Sequence, residues 1–394
     1  MAFPTGWTRY CPLVIQHGQV TANQTIAVVF TEACLPAEML TTGNSHQAQA
    51  DGGDIRFSTD TAGTSQLACE VVFWSKNANP ALAKAEIWVP IAVSSSVDTT
   101  VYIWYSAGGS QSQPAAGAAF GRNAVWDSGY KGGVAHFPNG TSLTVFDSTG
   151  TNTFANTVTN PCSAVAGIVD GAVSSAANTT PAQSIDLGLL PHVFDGVSTV
   201  ITLEAWAFPT DLSNDNRADG FCSSSRSGSN TLRVLVGKDG GTPSQIQIAV
   251  NQGSWVSNAV FFGSTVTTLV VNTWYHIVIV LDLVTPANRA VYVNGAVKAS
   301  SSGTSGTPPT VIPTPLPSSA NLFLQDGNER FAGSIDEYRM SNVIRSSTYV
   351  STTYNNQHAP SSFTVAGSPV SPGGGGSAKG SALYGVNPTQ GFIS

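Results

Sequence analysis

The sequence predicts an all-β protein built as an N-terminal β-sandwich domain followed by a second, larger sandwich. Three observations predict it. Apolar residues recur with a period of two in short runs, 39 Gly and 22 Pro punctuate the 394 residues, and no stretch carries a sustained helical period. A chain of this length buries two or three separate cores.

The elements follow in order. GWTRYCPLVI (6–15) is the first expected strand, followed by GGDIRFSTD (52–60) and CEVVFWS (69–75). AEIWVPIAVSSSVDTTVYIWYS (85–106) reads as two strands around a polar turn. Ile87, Val89 and Ile91 share one face, and Val101, Ile103 and Tyr105 alternate with Tyr102 and Trp104. AGGSQSQPAAGAAFGRNA (107–124) is a linker by composition, placing one domain at 1–120 and the next at 121–364.

In the second domain ITLEAWAFP (201–209) is a strand, and NTWYHIVIVLDLVTPANRAVYVNG (272–295) is a strand, loop, strand and tight turn. Trp274, His276, Val278 and Val280 share one parity; Tyr275, Ile277 and Ile279 share the other. Both parities are largely apolar, which predicts a strand covered on both faces with Trp274 inside the sandwich. Asn294-Gly295 is a hairpin signal after the short strand Ala290–Val293. Residues 300–320, rich in Ser, Thr and Pro, read as a long loop. FAGSIDEYRMSNVIRS (331–346) closes a sheet through Phe331, Ile335 and Tyr338. The tail 365–394 is a Gly/Ser tether ending in a peptide with Leu383, Tyr384, Val386, Phe392 and Ile393, suited to gripping a neighbouring subunit.

The ordered motifs ITLEAWAFP, NTWYHIVIVLD, RAVYVNG and FAGSIDEYRMSN resemble the concanavalin A-like jelly roll of the laminin-G and pentraxin type, over roughly residues 125–363. The resemblance implies a jelly-roll sandwich in a family that mostly binds sugars or proteins without catalysis. GGDIRF, EIWV and TTVYIWY resemble a small all-β domain of unknown function that often precedes laminin-G-like domains in secreted bacterial and viral proteins, with VWDSGYKGGVAHF (125–137) at the junction. That second resemblance implies an architecture and no chemistry.

Only 10% of the residues are charged, which suits a protein that hides surface in an assembly. The formal net charge is −7 and Lys and Arg are scattered, which argues against a nucleic-acid partner. No apolar run is long enough to insert in a membrane as a helix. The N-terminus MAFPTGWTRYCPLV lacks the basic and apolar regions of an export signal. Five Cys without a CxxC pair read as buried free thiols, with a Cys11–Cys34 or Cys34–Cys69 bridge left open.

Jelly-roll glycosidases carry paired carboxylates on one strand. Here Glu204 stands alone in its strand and is expected to accept from backbone or Tyr donors. Asp336 and Glu337 are adjacent, which in a regular strand points them to opposite faces. GxSxG, HxH and HExxH are missing, so no catalytic residue is assigned. His276 reads as a hydrogen-bonded core residue.

Calcium is the metal to consider, since the resembling domains hold it on loop carboxylates. DLSNDNRADG (211–220) offers Asp211, Asp215 and Asp219 as ligands, and QDGNER (325–330) offers Asp326 and Asn328. Asp211 and Asn216, with Trp255 between polar turns, are the expected ligand-binding residues. The resulting expectation is a bacteriophage virion surface protein, a capsid decoration, spike or fibre subunit. Its partners would be other virion subunits, copies of itself or host glycans. The alternative is a secreted bacterial or archaeal adhesin.

Overall fold

The computed structural model describes residues 3–138, 143, 145–156, 160–176, 183–212, 221–224, 230–239, 242–252, 258–265, 269–314, 320–323 and 331–372. Asp215, Asn216, Asp219, Trp255, Asp326, Asn328 and the tail beyond 372 lie outside the described residues.

The N-terminal sandwich contains β1 (Trp7–Ile15), β2 (Gln24–Thr31), the short helix α1 (Ala37–Leu40), β3 (Arg56–Ser58), β4 (Gln66–Leu67), β5 (Glu70–Ser75), β6 (Lys84–Val93) and β7 (Thr99–Ala107). β2, β6 and β5 form one sheet, and β1, β7, β3 and β4 lie in the other. The alternation read from the sequence sets the layers. Ile87, Val89, Ile91, Val101, Ile103 and Tyr105 all enter the core between the sheets.

β8 (Gly133–Ala135) leads into the second sandwich, with β9 (Ala155–Asn156), β10 (Ser163–Ala166), β11 (Gly171–Ser175), β12 (Ile185–Asp186), β13 (Val200–Pro209) and β14 (Cys222–Ser223). β15 (Asn230–Asp239), β16 (Thr242–Gln252), β17 (Asn258–Thr265), β18 (Tyr275–Asp282) and β19 (Ala290–Val293) follow. β20 (Ala296–Lys298), β21 (Ser301–Gly306), β22 (Asn321–Leu322) and β23 (Gly333–Ser341) complete it. One sheet runs β10-β11-β23-β13-β18-β19-β20 with β8 also on β23; its partner runs β21-β17-β16-β15-β14-β22-β12-β9. Ile277, Ile279, Ile335 and Tyr338 fill the core between them, as the motifs predict.

Asn294 and Gly295 both take positive φ, 53° and 74°, and close the β19–β20 hairpin with Val293 opposite Ala296. Two local readings are corrected. Ser301–Gly306, expected in a loop, is the edge strand β21 on β17. A backbone ladder forms without apolar side chains, so the Ser/Thr composition concealed it. Trp274 precedes β18 and is only half-buried, against Phe208 at 5.3 Å between ring centroids.

The polypeptide then returns to the N-terminal sandwich. α2 (Ser347–His358) and α3 (Pro360–Phe363) lead to β24 (Thr364–Ala366), which pairs with β1, and Val370 bridges to Tyr10. Residues 364–370 therefore extend the first sandwich's sheet, beyond the tail boundary at 365 expected from the sequence. Ser346 caps α2 by accepting from the Tyr349 amide. Its buried face carries Thr352, Thr353, Asn356 and Gln357, so the sequence shows only a weak apolar period there.

The stretch 107–124 is tied down. Gln113 Nε2 donates to the carbonyls of Gly52 and Ile55 at 2.7 and 3.2 Å, and Arg56 donates to that of Ser112 at 2.6 Å. A Cβ at Gly121 would meet the Ala115 carbonyl oxygen at 2.0 Å, so the chain approach there needs glycine. A further apolar cluster joins the sandwiches: Ala27, Val29 and Trp88 from the first meet Val125, Trp126, Tyr130, Val134 and Val169. Limited proteolysis is expected to leave 107–124 uncut. A nick between Gly108 and Gly121 that releases a stable N-terminal fragment would show these ties open.

Candidate functional site

Of the residues expected at a calcium or ligand site, Asp211 alone lies among the described residues. It is half-buried just after β13, and the group of His and carboxylate donors close enough to hold a metal among the described residues does not include it. The functional-looking side chains gather elsewhere, in the seam between the two sandwiches.

The seam forms because each strand facing it presents polar groups on its outer parity. On β6, Glu86 and Trp88 alternate with the core residues Ile87 and Val89. On β13, Glu204 and Trp206 alternate with Leu203, Ala205 and Ala207, and on β18 His276 alternates with Tyr275 and Ile277. β23 is irregular. The pairing shifts between Glu204 and Trp206, so Glu337 and Tyr338 stand opposite Ala205, and Glu337 has φ 52°. Ile335, Tyr338 and Met340 point into the sandwich. Asp336, Glu337 and Arg339 are left for the seam. The expectation that Asp336 and Glu337 point to opposite faces is thereby overturned: the bulge cancels the alternation.

α2 and the N-terminal sandwich seal this face. Asn356 accepts from the Val29 amide at 3.0 Å on the edge strand β2. Its neighbour Gln357 accepts from Trp206 Nε1 at 2.6 Å and donates to Glu204 Oε1 at 3.1 Å. One helix thus satisfies both domains. Tyr130 and Tyr349 share a hydroxyl hydrogen bond, and Arg345 stacks on both rings. Glu86, His136, His276, Asp336 and Glu337 are 0% exposed, and Glu204 only 3%.

Around His136 three carboxylates converge. Nδ1 lies 2.8 Å from Glu337 Oε1 and 3.1 Å from Glu86 Oε1, and Nε2 lies 3.6 Å from Glu70 Oε2. The imidazole stacks on Trp88 at 5.3 Å and near Trp126 at 5.4 Å. Trp88 Nε1 donates to Glu86 and Trp126 Nε1 to Glu70, each at 2.8 Å. Arg339 donates to Glu337 at 2.7 Å and to Glu204 at 3.2 Å while lying over the Trp88 ring. Glu204 also meets His276 Nε2 at 3.1 Å, so it takes cationic and amide donors and not the backbone or Tyr donors expected. His276 is a buried, hydrogen-bonded strand residue as read.

Electrostatics separate these acids. Burial opposes ionisation of Glu204, but Arg339, His276 and Gln357 outweigh it and hold its pKa down at about 2. Burial likewise opposes Glu337, and His136 with Arg339 holds it below the ordinary value. Burial, and then Glu337, push Glu86 up to about 8 and Asp336 well above a normal carboxyl. Asp336 still accepts the amides of Ile168 and Val169 at 2.9 and 3.0 Å. Burial works against a charge on His136, yet the surrounding glutamates raise its pKa well above the usual value.

The sequence held a signal for this site. Glu86, Glu204 and His276 are ionisable residues at alternating positions of otherwise apolar strands, and such residues need partners. What it did not hold is that those partners come from the other domain. All five Cys are buried and free. Burial raises Cys11, Cys69, Cys162 and Cys222 to about 12, so they are packing residues and not reactive thiols. Two surface clefts flank the N-terminal sandwich. One, of about 290 Å³, is lined by Cys69, Glu70, Gln113 and Arg122; the other, of about 300 Å³, by Tyr10, Trp104 and Pro372.

Residues 177–351 match the family model described as the concanavalin A-like lectin/glucanases superfamily, so this part of the chain is similar to that superfamily's jelly-roll domains. No curated protein matches the chain. Among solved structures, domain 4 of AbnA, a GH43 extracellular arabinanase from Geobacillus stearothermophilus solved with arabinotriose, aligns at 19% identity with a TM-score of 0.39, covering 53% of this chain and 91% of that domain. The botulinum neurotoxin serotype C1 binding domain aligns at 7% identity and TM-score 0.41, over 58% of this chain and 52% of its own, about half its length. A SAP-like pentraxin from Limulus polyphemus aligns at 13% identity and TM-score 0.30, over 48% of this chain and 84% of its own. Among the described residues no helix is long and apolar enough to cross a membrane.

Proposed function

We propose that this chain is a non-enzymatic surface subunit of a bacteriophage virion, a capsid decoration, spike or fibre component, whose lectin-like domain meets host glycans or neighbouring subunits. The observation that carries the non-enzymatic part is the sealed seam. Glu204, Asp336 and Glu337, the acids on the outer face of the β13–β18–β23 sheet, lie beneath α2 and the N-terminal sandwich at 0–3% exposure. A glycosidic bond has no access to them, and their partners are structural.

An apolar end of the second sandwich supports assembly. Val197, Val284, Val343 and Ile344 are 76, 58, 38 and 45% exposed. Their loops are tied together by Leu283 N to Thr199 O at 2.9 Å and by Asn342 Nδ2 to Ser198 Oγ at 3.2 Å. Exposed apolar side chains on loops tied together in this way, in a protein this poor in charge, fit burial against another subunit. The tail peptide around Leu383, Tyr384 and Phe392 would add contact area on a neighbour.

Size-exclusion chromatography with light scattering and negative-stain imaging tests this. A symmetric oligomer is expected, shifted toward monomer by Val197→Lys with Val284→Lys and weakened by deletion of 376–394. A monomer at all accessible concentrations would sink the subunit reading and favour a secreted adhesin. A glycan array then tests the lectin-like domain, and hydrolysis of any bound glycan would overturn the non-enzymatic assignment.

A further inference from the structure

We propose that Glu86, His136 and Glu337 bind one divalent transition-metal ion of the Zn²⁺ class, which staples the two sandwiches together. Among the described residues, one donor atom from each lies within 4.8 Å of the other two. The three come from β6, from the residue after β8, and from β23, so an ion there ties the first sandwich to the second across the seam.

A second observation is independent of that spacing. Glu86 Oε2 is buried without a hydrogen-bond partner. Native interiors rarely leave such an atom orphaned, and a bound ion is one of the standard reasons. The occupied atoms are also apportioned as metal ligands require. Trp88 holds Glu86 through Oε1 and leaves Oε2 free, and Arg339 holds Glu337 through Oε2 and leaves Oε1 turned to His136. With Nδ1 on an ion, His136 Nε2 carries the proton, and Glu70 Oε2 is the carboxylate beside it at 3.6 Å. Ligating histidines are usually oriented in this way by a carboxylate on the far nitrogen.

Charge points the same way. Glu70, Glu86, Glu204, Asp336 and Glu337 share a nearly dry space with Arg339, His136 and His276. Three carboxylates, Glu70, Glu86 and Glu337, surround the one imidazole of His136. A proton on His136 offsets one negative charge, whereas a divalent ion at its Nδ1 offsets two. The donor set selects the ion. One imidazole and two carboxylates suit Zn²⁺ and its neighbours, while Ca²⁺ takes six to eight oxygens. The cleft lined by Cys69, Glu70, Gln113 and Arg122 ends on Glu70, the acid beside His136 Nε2.

The test uses the full chain, stripped with a chelator and titrated with ZnCl₂. One equivalent of zinc per chain by elemental analysis, with a higher thermal midpoint, is expected. Co²⁺ in place of zinc should give visible d–d bands that 1 mM Ca²⁺ does not displace. His136→Asn should weaken zinc binding at least about 100-fold, a loss at or above that of disturbing an outer partner. If that variant fails to fold, the wild-type cobalt spectrum and zinc stoichiometry decide alone. Less than about 0.1 equivalent of bound metal, with a midpoint indifferent to zinc and chelator, would overturn the proposal and leave a proton-sharing network. Zinc retained by His136→Asn but lost by His17→Asn, at the exposed His17–Asp98 pair, would overturn it equally.

Discussion

Arg339→Met is expected to destabilise the protein by about 3–5 kcal/mol, the cost of leaving buried charges without their partner. Arg339 is the guanidinium between Glu204 and Glu337, and all three are sealed. Met retains much of the apolar contact over Trp88, so the loss reports the charge and not a cavity. Urea denaturation at neutral pH measures it, as a shift in midpoint at constant slope. A loss under about 1 kcal/mol would mean that the two glutamates are neutralised some other way. The acid limb gives a second reading. Glu204 is held at about 2, below its unfolded value near 4.5, so its contribution is present above that unfolded value. It is lost as pH falls from there toward 2. The variant should show less of this acid destabilisation, because its Glu204 is already deprived of Arg339.

Trp206→Ala is expected to cost about 3–5 kcal/mol, the range for deleting a large buried aromatic. Trp206 is 1% exposed and stacks on Tyr354 at 5.7 Å while its indole N–H donates to Gln357. Removing it opens a cavity beneath α2 and frees the Gln357 carbonyl from its donor. Trp274→Ala, at the half-buried position before β18, should cost about 1 kcal/mol, in the ordinary range for a partly exposed site. Equal losses for the two variants would show that Trp274 carries core weight the geometry denies it.

The strands were legible because their cause is local. Ile87, Val89 and Ile91, or Ile277 and Ile279, repeat every second residue, and a sheet with one buried face needs no more than that. The Asn294-Gly295 turn is equally local, since both residues accept positive φ at little cost. α2 was not legible. Its interior face touches polar backbone and carboxylates, so its sequence carries amides and hydroxyls where a helix on an apolar core would carry Leu.

The sequence by itself determined that two β-sandwiches form, that alternating residues such as Ile87, Val89, Ile277 and Ile279 face their cores, and that Glu86, Glu204 and His276 sit on the opposite parity. Only the tertiary structure decided what those residues do. A bulge at Glu337, which no local pattern announces, turns two adjacent acids to one side. The returning helix and the first sandwich then cover that side, converting what would be a solvated acidic face into a buried network. Alternation is a property of one strand and survives in its residues. The burial of a polar face depends on what a distant segment lays over it, and that is settled only when the domains meet.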